Sequence, residues 1–428
     1  MSNTPVAAPQ STAEDVESPY AWLRLAVSLV LMTIGGSGMY SVTVVLPRIQ
    51  SDFGVDRGAA SLPYTLTMIG FGVGGILMGR LADRRGVVVP IVVGAAGLGA
   101  GFIAAGLAPS IWWFGAAQGL LIGLLGTSAT FAPLVADTAQ WFDRRKGIAL
   151  AICMSGNYAA GAVWPPVMQY FIDLAGWRQT YIGLGLFCVA TIVPLAFLLR
   201  RRPPSQVLAP LVPGAPAHPV PAGDRPMGLR PGTALLLLSV AGVACCVAMS
   251  MPQVHIVAYC GDLGIGAARG AEMLSLMLGL GVVSRLASGW ISDRIGGLRT
   301  LLLGSVLQGT ALLLFLPFQG PVSLYVVSGL FGLFQGGIVP AYALIVREHF
   351  APGEAGARVG TVLMATLLGM ALGGWLSGAV FDWTGSYRAA FINGIAWNLL
   401  NLSIAGFLLY RASAAVRARR AAVPAGAA

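Results

Sequence analysis

Twelve apolar runs of bilayer-spanning length follow one another along these 428 residues, and no other feature constrains the fold so tightly. They fall at approximately 22–47, 59–82, 86–107, 110–135, 146–172, 177–199, 232–258, 266–292, 297–318, 321–346, 356–381 and 387–410. A hydrocarbon layer about 30 Å thick takes roughly 20 helical residues to cross. Within it every backbone N–H and C=O must be satisfied by the chain itself, so the runs read as helices. Composition agrees, because only 10% of the residues are charged, against about a quarter in ordinary soluble domains. The expected fold class is an all-α membrane protein with twelve transmembrane helices.

The net charge of +10 could point to nucleic acid until the arginines are placed. Loops on one side carry Arg84, Arg85, Arg144, Arg145, Lys146, Arg294, Arg299, Arg347 and Arg358, with Arg411, Arg417, Arg419 and Arg420 in the tail. Loops on the other side hold only Arg48, Arg57, Arg178, Arg269 and Arg388. That asymmetry follows the positive-inside rule, which puts both termini in the cytoplasm and leaves no surplus to assign to nucleic acid. Residues 1–21 lack a basic n-region and read as a disordered tail, not a signal peptide. Between Arg200 and Arg230 stand eight prolines, so 200–231 reads as a flexible cytoplasmic linker. It separates a six-helix bundle over 22–199 from a second over 232–411, and 412–428 forms a second tail.

The two halves repeat. Gly79-Arg80-Leu81-Ala82-Asp83-Arg84-Arg85-Gly86 returns as Gly289-Trp290-Ile291-Ser292-Asp293-Arg294-Ile295-Gly296, an offset of 210 residues. Trp177-Arg178 returns at the same offset as Tyr387-Arg388. A parallel repeat about an axis normal to the membrane is how two transporter halves enclose a central site. An embedded enzyme would instead need a nucleophile–base pair or metal ligands. Three histidines and five dispersed cysteines form no such constellation, and no cofactor motif stands out.

The eighth run carries a charge, Arg285, set inside its apolar length. Arg285 sits eight residues before Asp293, roughly 12 Å along a helix axis. A charge at that depth costs at least a few kcal/mol and marks a cavity or a partner. Arginine stays cationic there. The carboxylates, among them Asp83, Asp137, Asp173, Asp262, Asp293 and Asp382, all read as segment ends or loops, and Glu272 is thirteen residues away. The expectation is that Arg285 receives an anionic substrate, with a snorkelling or structurally paired arginine as the alternative. His255 lies towards the outer end of its segment with Tyr259 one turn on, and its protonation can switch near neutral pH. Tyr40, Gln118, Asn157, Tyr158, Gln335 and Tyr342 are further polar groups in apolar runs, each also suited to an interhelical hydrogen bond.

The Gly-x-Leu-Ala-Asp-Arg-x-Gly loop and its echo resemble the signature loops of the major facilitator superfamily. That resemblance implies two pseudo-symmetric six-helix bundles, with Asp83, Arg84, Asp293 and Arg294 as gating elements. It also implies that the first, fourth, seventh and tenth spans line the cavity, which adds weight to Tyr40, Gln118, His255 and Gln335. Further stretches are similar to the bacterial branch of the monocarboxylate transporter family, kin to the oxalate:formate exchangers. They are Gly38-Met39-Tyr40 leading to Leu46-Pro47, Ser155-Gly156-Asn157-Tyr158 before Trp164-Pro165-Pro166, and Met251-Pro252-Gln253-Val254-His255 through Tyr259 to Asp262-Leu263-Gly264-Ile265. The resemblance implies a bacterial inner-membrane transporter of a small lactate- or pyruvate-like monocarboxylate with a proton, or an organic-anion exchanger of the oxalate:formate type. The chain departs from the animal members at two points. Gly281 stands where they carry an acid four positions before the arginine, and the only lysine is Lys146, in a loop rather than the first helix. The substrate-binding set expected on these grounds is Arg285, His255, Tyr40, Asn157, Tyr259 and Gln335, with His255 and Arg285 coupling the proton.

Overall fold

A helix begins at Pro19 because Ser18 accepts a hydrogen bond from the Ala21 amide at 3.3 Å and proline occupies the first turn. The computed structural model describes residues 16–201, 226–350 and 352–422. Its helices are α1 (Pro19–Gly35), α2 (Ser37–Phe53), α3 (Arg57–Arg85), α4 (Val88–Gly106), α5 (Ile111–Ala116), α6 (Ala132–Trp141), α7 (Lys146–Ala175) and α8 (Trp177–Phe197). They continue with α9 (Pro231–Asp262), α10 (Ala267–Ile295), α11 (Gly297–Leu314), α12 (Pro321–Gln335), α13 (Ile338–His349), α14 (Pro352–Thr384) and α15 (Tyr387–Ala422). A π-helical stretch, Ala117–Thr127, continues α5. Among the described residues, twelve helical runs are long and apolar enough to cross a membrane, as the hydropathy pattern predicts. Exposed apolar side chains such as Ile76, Leu120, Leu236 and Val326 are what hydrocarbon would solvate.

The sequence repeat reappears in the backbone. α10 starts and ends 210 residues after α3, and α15 starts 210 residues after α8. Gly86 and Gly296, at the same offset, both hold φ of 81°, a left-handed conformation that only glycine enters without cost. Most of the tail over 1–21 and most of the linker over 200–231 lie outside the described residues. α15 runs on to Ala422, past the expected end of the last bundle at 411.

Contacts divide the chain into two units. One comprises the described residues of Met1–Gly214 together with Cys260–Ser275, the other those of Ala215–Tyr259 and Leu276–Ala428. Within the first unit, Asp262 receives both terminal nitrogens of the buried Arg57, one of them at 3.2 Å, and the Ser275 hydroxyl donates to the Ala162 carbonyl. In the second unit, Leu238, Cys245, Met249, Ile338, Tyr342 and Leu408 belong to one buried apolar cluster.

Glycine sets how closely helices approach. A Cβ on Gly332 of α12 would overlap the Met277 carbonyl of α10, and a Cβ on Gly123 would press on the Thr67 carbonyl of α3. Thr67 and Met277 are 210 residues apart, so both units close the same pair of spans through a small residue. Gly332→Ala must therefore push α12 off α10. The expected cost is about 1–3 kcal/mol, read as a lowered melting temperature of the purified protein, whereas an unchanged value would show that the helices separate freely.

Residues 16–18, expected in a disordered tail, are held because Glu17 clasps the turn after α6. Its amide donates to the Trp141 carbonyl at 3.0 Å, and its carboxylate accepts the Arg145 and Asp143 amides at 2.7 and 3.2 Å. The Arg145 amide, foremost, holds this carboxyl below its ordinary value of 4.5. A carboxyl depressed by folding stabilises above its unfolded value and loses that contribution as pH falls through its folded one. Protection of the Asp143 and Arg145 amides from hydrogen exchange, corrected for intrinsic rates, should be full at neutral pH and fade below 4.5. In Glu17→Gln it should be weak at every pH, and equal protection in both proteins would remove the clasp.

Candidate functional site

Among the described residues, three of the twelve spans carry a local irregularity at which the backbone angles stay right-handed: the first at Gly36 (φ −68°, ψ −12°), the fourth from the π-helical stretch to α6 through 128–131, and the tenth at Gly336 (φ −59°, ψ −25°) and Gly337 (φ −92°, ψ −6°). Inside a bilayer such irregularities are tolerated where protein or a water-filled cavity satisfies the freed groups, and they recur at transporter ligand sites.

In the second unit the irregular turn of the tenth span meets Arg285. The half-buried arginine projects from α10, and its Nε approaches the Gly336 carbonyl at 3.5 Å. Gln335, the neighbouring residue, is fully buried; its Oε1 accepts a 2.8 Å hydrogen bond from Gln253 of α9. Its Nε2 has no hydrogen-bond partner among the described residues. A buried donor left unmade costs about 1–3 kcal/mol, so a native protein that keeps one calls for a missing partner. Guanidinium and side-chain amide N–H groups only donate, so the region is suited to an acceptor-rich guest.

His255 is fully buried on α9. Its Nε2 lies 2.8 Å from the Gly374 carbonyl and its Nδ1 3.3 Å from the Tyr387 hydroxyl. A carbonyl only accepts, so Nε2 carries the hydrogen and Nδ1 of the neutral ring accepts from the tyrosine. A protonated ring would donate to the same hydroxyl, so both charge states find partners here. Tyr259 packs edge-on against Tyr387 at 5.3 Å and Phe391 at 5.5 Å, which brings Tyr259 and His255 to one aromatic group. The structure thus groups His255 with Tyr259, and Arg285 with Gln335. Tyr342 donates to Asn401 at 2.8 Å.

In the first unit Tyr40 and Tyr158 are buried on α2 and α7. Asn157 stands at the Gly36 irregularity, its Oδ1 3.5 Å from where a Cβ on that glycine would lie. Gln118, in the π-helical stretch, donates to Tyr181 at 3.1 Å and accepts from Thr67 at 3.4 Å, an interhelical linkage. Of the residues expected to gate, Asp83 and Arg84 are exposed and line a cavity of about 600 Å³. Asp293 is exposed, and Arg294 lies over the Trp290 ring at 3.4 Å. Glu348 meets a helix N-terminus: its carboxylate accepts the first amide of α11 at 3.0 and 3.1 Å.

Sequence reasoning passed over the ionic pairs, among them one that is buried on both sides. Arg24 of α1 and Asp137 of α6 are both buried and joined by two 2.7 Å hydrogen bonds. Arg24 also donates to the carbonyls of Leu199 and Arg201, each at 3.0 Å. Arg24 lies just inside its apolar run and Asp137 just beyond its own, at the same end of the first and fourth spans. An opposite-charge pair so placed is the signal that could have found them.

The sequence matches the family model described as Major Facilitator Superfamily over residues 26–328 and 288–427. It is 28% identical over 335 residues to a protein named monocarboxylate transporter 13 from Bos taurus, covering 78% of this chain and 75% of that one. An uncharacterized MFS-type transporter, YcxA of Bacillus subtilis, is 26% identical over 378 residues, 86% of this chain and 90% of the relative. Among solved structures, a peptide transporter POT in complex with sulfate superposes with a TM-score of 0.70 at 13% identity, over 95% of this chain and 96% of that one. A bacterial homolog of the human lysosomal transporter Spinster, in an inward-facing and occupied conformation, gives 0.65 at 14% identity, over 94% and 98%.

Proposed function

The chain belongs to the major facilitator superfamily, and on that premise we propose that it carries a small monocarboxylate across the bacterial inner membrane together with a proton. Arg285 is the anion receptor. The observation that carries this reading is the conjunction, at the irregular turn of the tenth span, of a guanidinium inside an apolar helix with a buried amide donor that has no acceptor among the described residues. A carboxylate offers two oxygens to such donors, and a fixed arginine binds it in a bidentate, charge-assisted way. Relatives named monocarboxylate transporters support the same class.

His255 is the coupling group in this proposal: each ring nitrogen has a hydrogen-bond partner, and a bound carboxylate would offset the charge that protonation adds. Tyr40, Asn157, Tyr259 and Gln335 complete the binding set, and Asp83, Arg84, Asp293 and Arg294 act in gating. The arginine-rich span ends and both termini face the cytoplasm.

Proteoliposomes test this. Uptake of labelled lactate or pyruvate should rise when the outside is acidified, and should need no counter-anion inside. Uptake that requires a preloaded organic anion and ignores the pH gradient would favour exchange instead. His255→Ala should keep counterflow while losing the response to the pH gradient. An unaltered response would take the histidine out of the mechanism.

A further inference from the structure

The first unit holds the cavity of about 600 Å³ at the arginine-rich ends of its spans, where the proposed gating residues Asp83 and Arg84 also stand. Its floor is the Arg24–Asp137 pair, two opposite charges locked to each other and neutral as a unit. Around that floor stand Arg84 and Arg85 from the end of α3 and Arg200 and Arg201 from just beyond α8, opposed, among the described residues, by Asp83 alone. The rim thus carries four cations against one anion. The residues that complete the wall are mostly apolar, among them Val87, Val88, Phe197 and Leu199.

Position and size indicate what such a cavity takes. α3, α8 and α4 all begin or end there, so it lies where membrane spans reach the interface. The α4 N-terminus has no side-chain cap, and its first turn faces the cavity through Val88. Arginine forks and free helix-terminal amides both favour phosphate oxygens. The apolar wall suits the start of an acyl chain, and the volume far exceeds that of inorganic phosphate. We propose that this cavity binds a phosphate group presented by an anionic phospholipid, with Arg85 and Arg200 on the phosphate and the apolar wall against its glycerol and first methylenes.

The test uses the purified full-length protein in detergent, titrated with phosphatidylglycerol, phosphatidylcholine or glycerol phosphate while its thermal stability is followed. Phosphatidylglycerol should stabilise at the lowest concentration, and salt should weaken the effect. Removing two interfacial arginines in Arg85→Gln/Arg200→Gln should weaken that binding roughly 30-fold, whereas Arg85→Lys/Arg200→Lys should retain most of it. Equal stabilisation by glycerol phosphate would assign the site to a soluble phosphate and overturn the lipid. Unchanged lipid binding in the glutamine variant would overturn the site. A photoreactive phosphatidylglycerol on the wild type gives an answer independent of the variants' folding: crosslinks should fall within 82–88 and 197–201, and their absence there overturns the proposal.

Discussion

Arg285→Ala is expected to abolish carboxylate uptake, leaving at most about one hundredth of the wild-type rate. Hydrogen bonds to a charged group contribute about 1.5–3 kcal/mol each, and truncating one partner of a buried charge pair costs about 3–5 kcal/mol. At 1.4 kcal/mol per factor of ten, the loss is between about a hundred- and a few thousand-fold. Arg285→Lys keeps the charge but not the planar fork, so it should fall between, with an apparent affinity down about tenfold. Arg285 is half-buried, with its Nε 3.5 Å from the Gly336 carbonyl, so the melting temperature of each variant is measured alongside uptake to separate a loss of fold from a loss of affinity. Full uptake by the alanine protein at equal incorporation would refute the receptor role.

The second large effect is on stability. Asp137→Ala leaves Arg24 charged in a buried site, with the Leu199 and Arg201 carbonyls as neutral acceptors. The expected cost is about 3–5 kcal/mol, a fall of about 10 °C in melting temperature for a unit of this size. Arg24→Met/Asp137→Leu removes both charges and fills the space with apolar atoms, so it should recover most of the loss, because desolvating two ions offsets much of their attraction. A double variant as unstable as the single one would mean that the pair itself, not the stranded charge, holds α1 to α6.

The scaffold was legible because a bilayer imposes a length on every span and a sign on every loop, both written in one dimension. The repeat was legible for a similar reason: Gly86 and Gly296 must be glycine to reach a φ of 81°, so the turn is visible in the residue that permits it. The helix irregularities were not legible. Gly336–Gly337 and Gly36 lie among many glycines in apolar runs, and a backbone irregularity leaves hydropathy unchanged. Arg285 could be singled out by its depth, but the orphaned amide of Gln335 could not, since that depends on Gln253 occupying its oxygen. Likewise the surroundings of His255 come from Gly374 and Tyr387, more than a hundred residues away in sequence. Arg24 and Asp137 were hidden because each, taken alone, resembles an ordinary charge at a span's edge.

Chimeras built from this chain and a relative inherit a constraint from the segment Cys260–Ser275, whose contacts lie with the first unit. A graft that exchanges everything after 225 would supply foreign side chains opposite Arg57 and Ala162, where Asp262 and Ser275 now sit. Crossovers at Tyr259/Cys260 and Ser275/Leu276 keep those partners from one parent. The natural seam for recombination is therefore threefold, with two cuts placed inside what sequence alone would treat as one transplantable block.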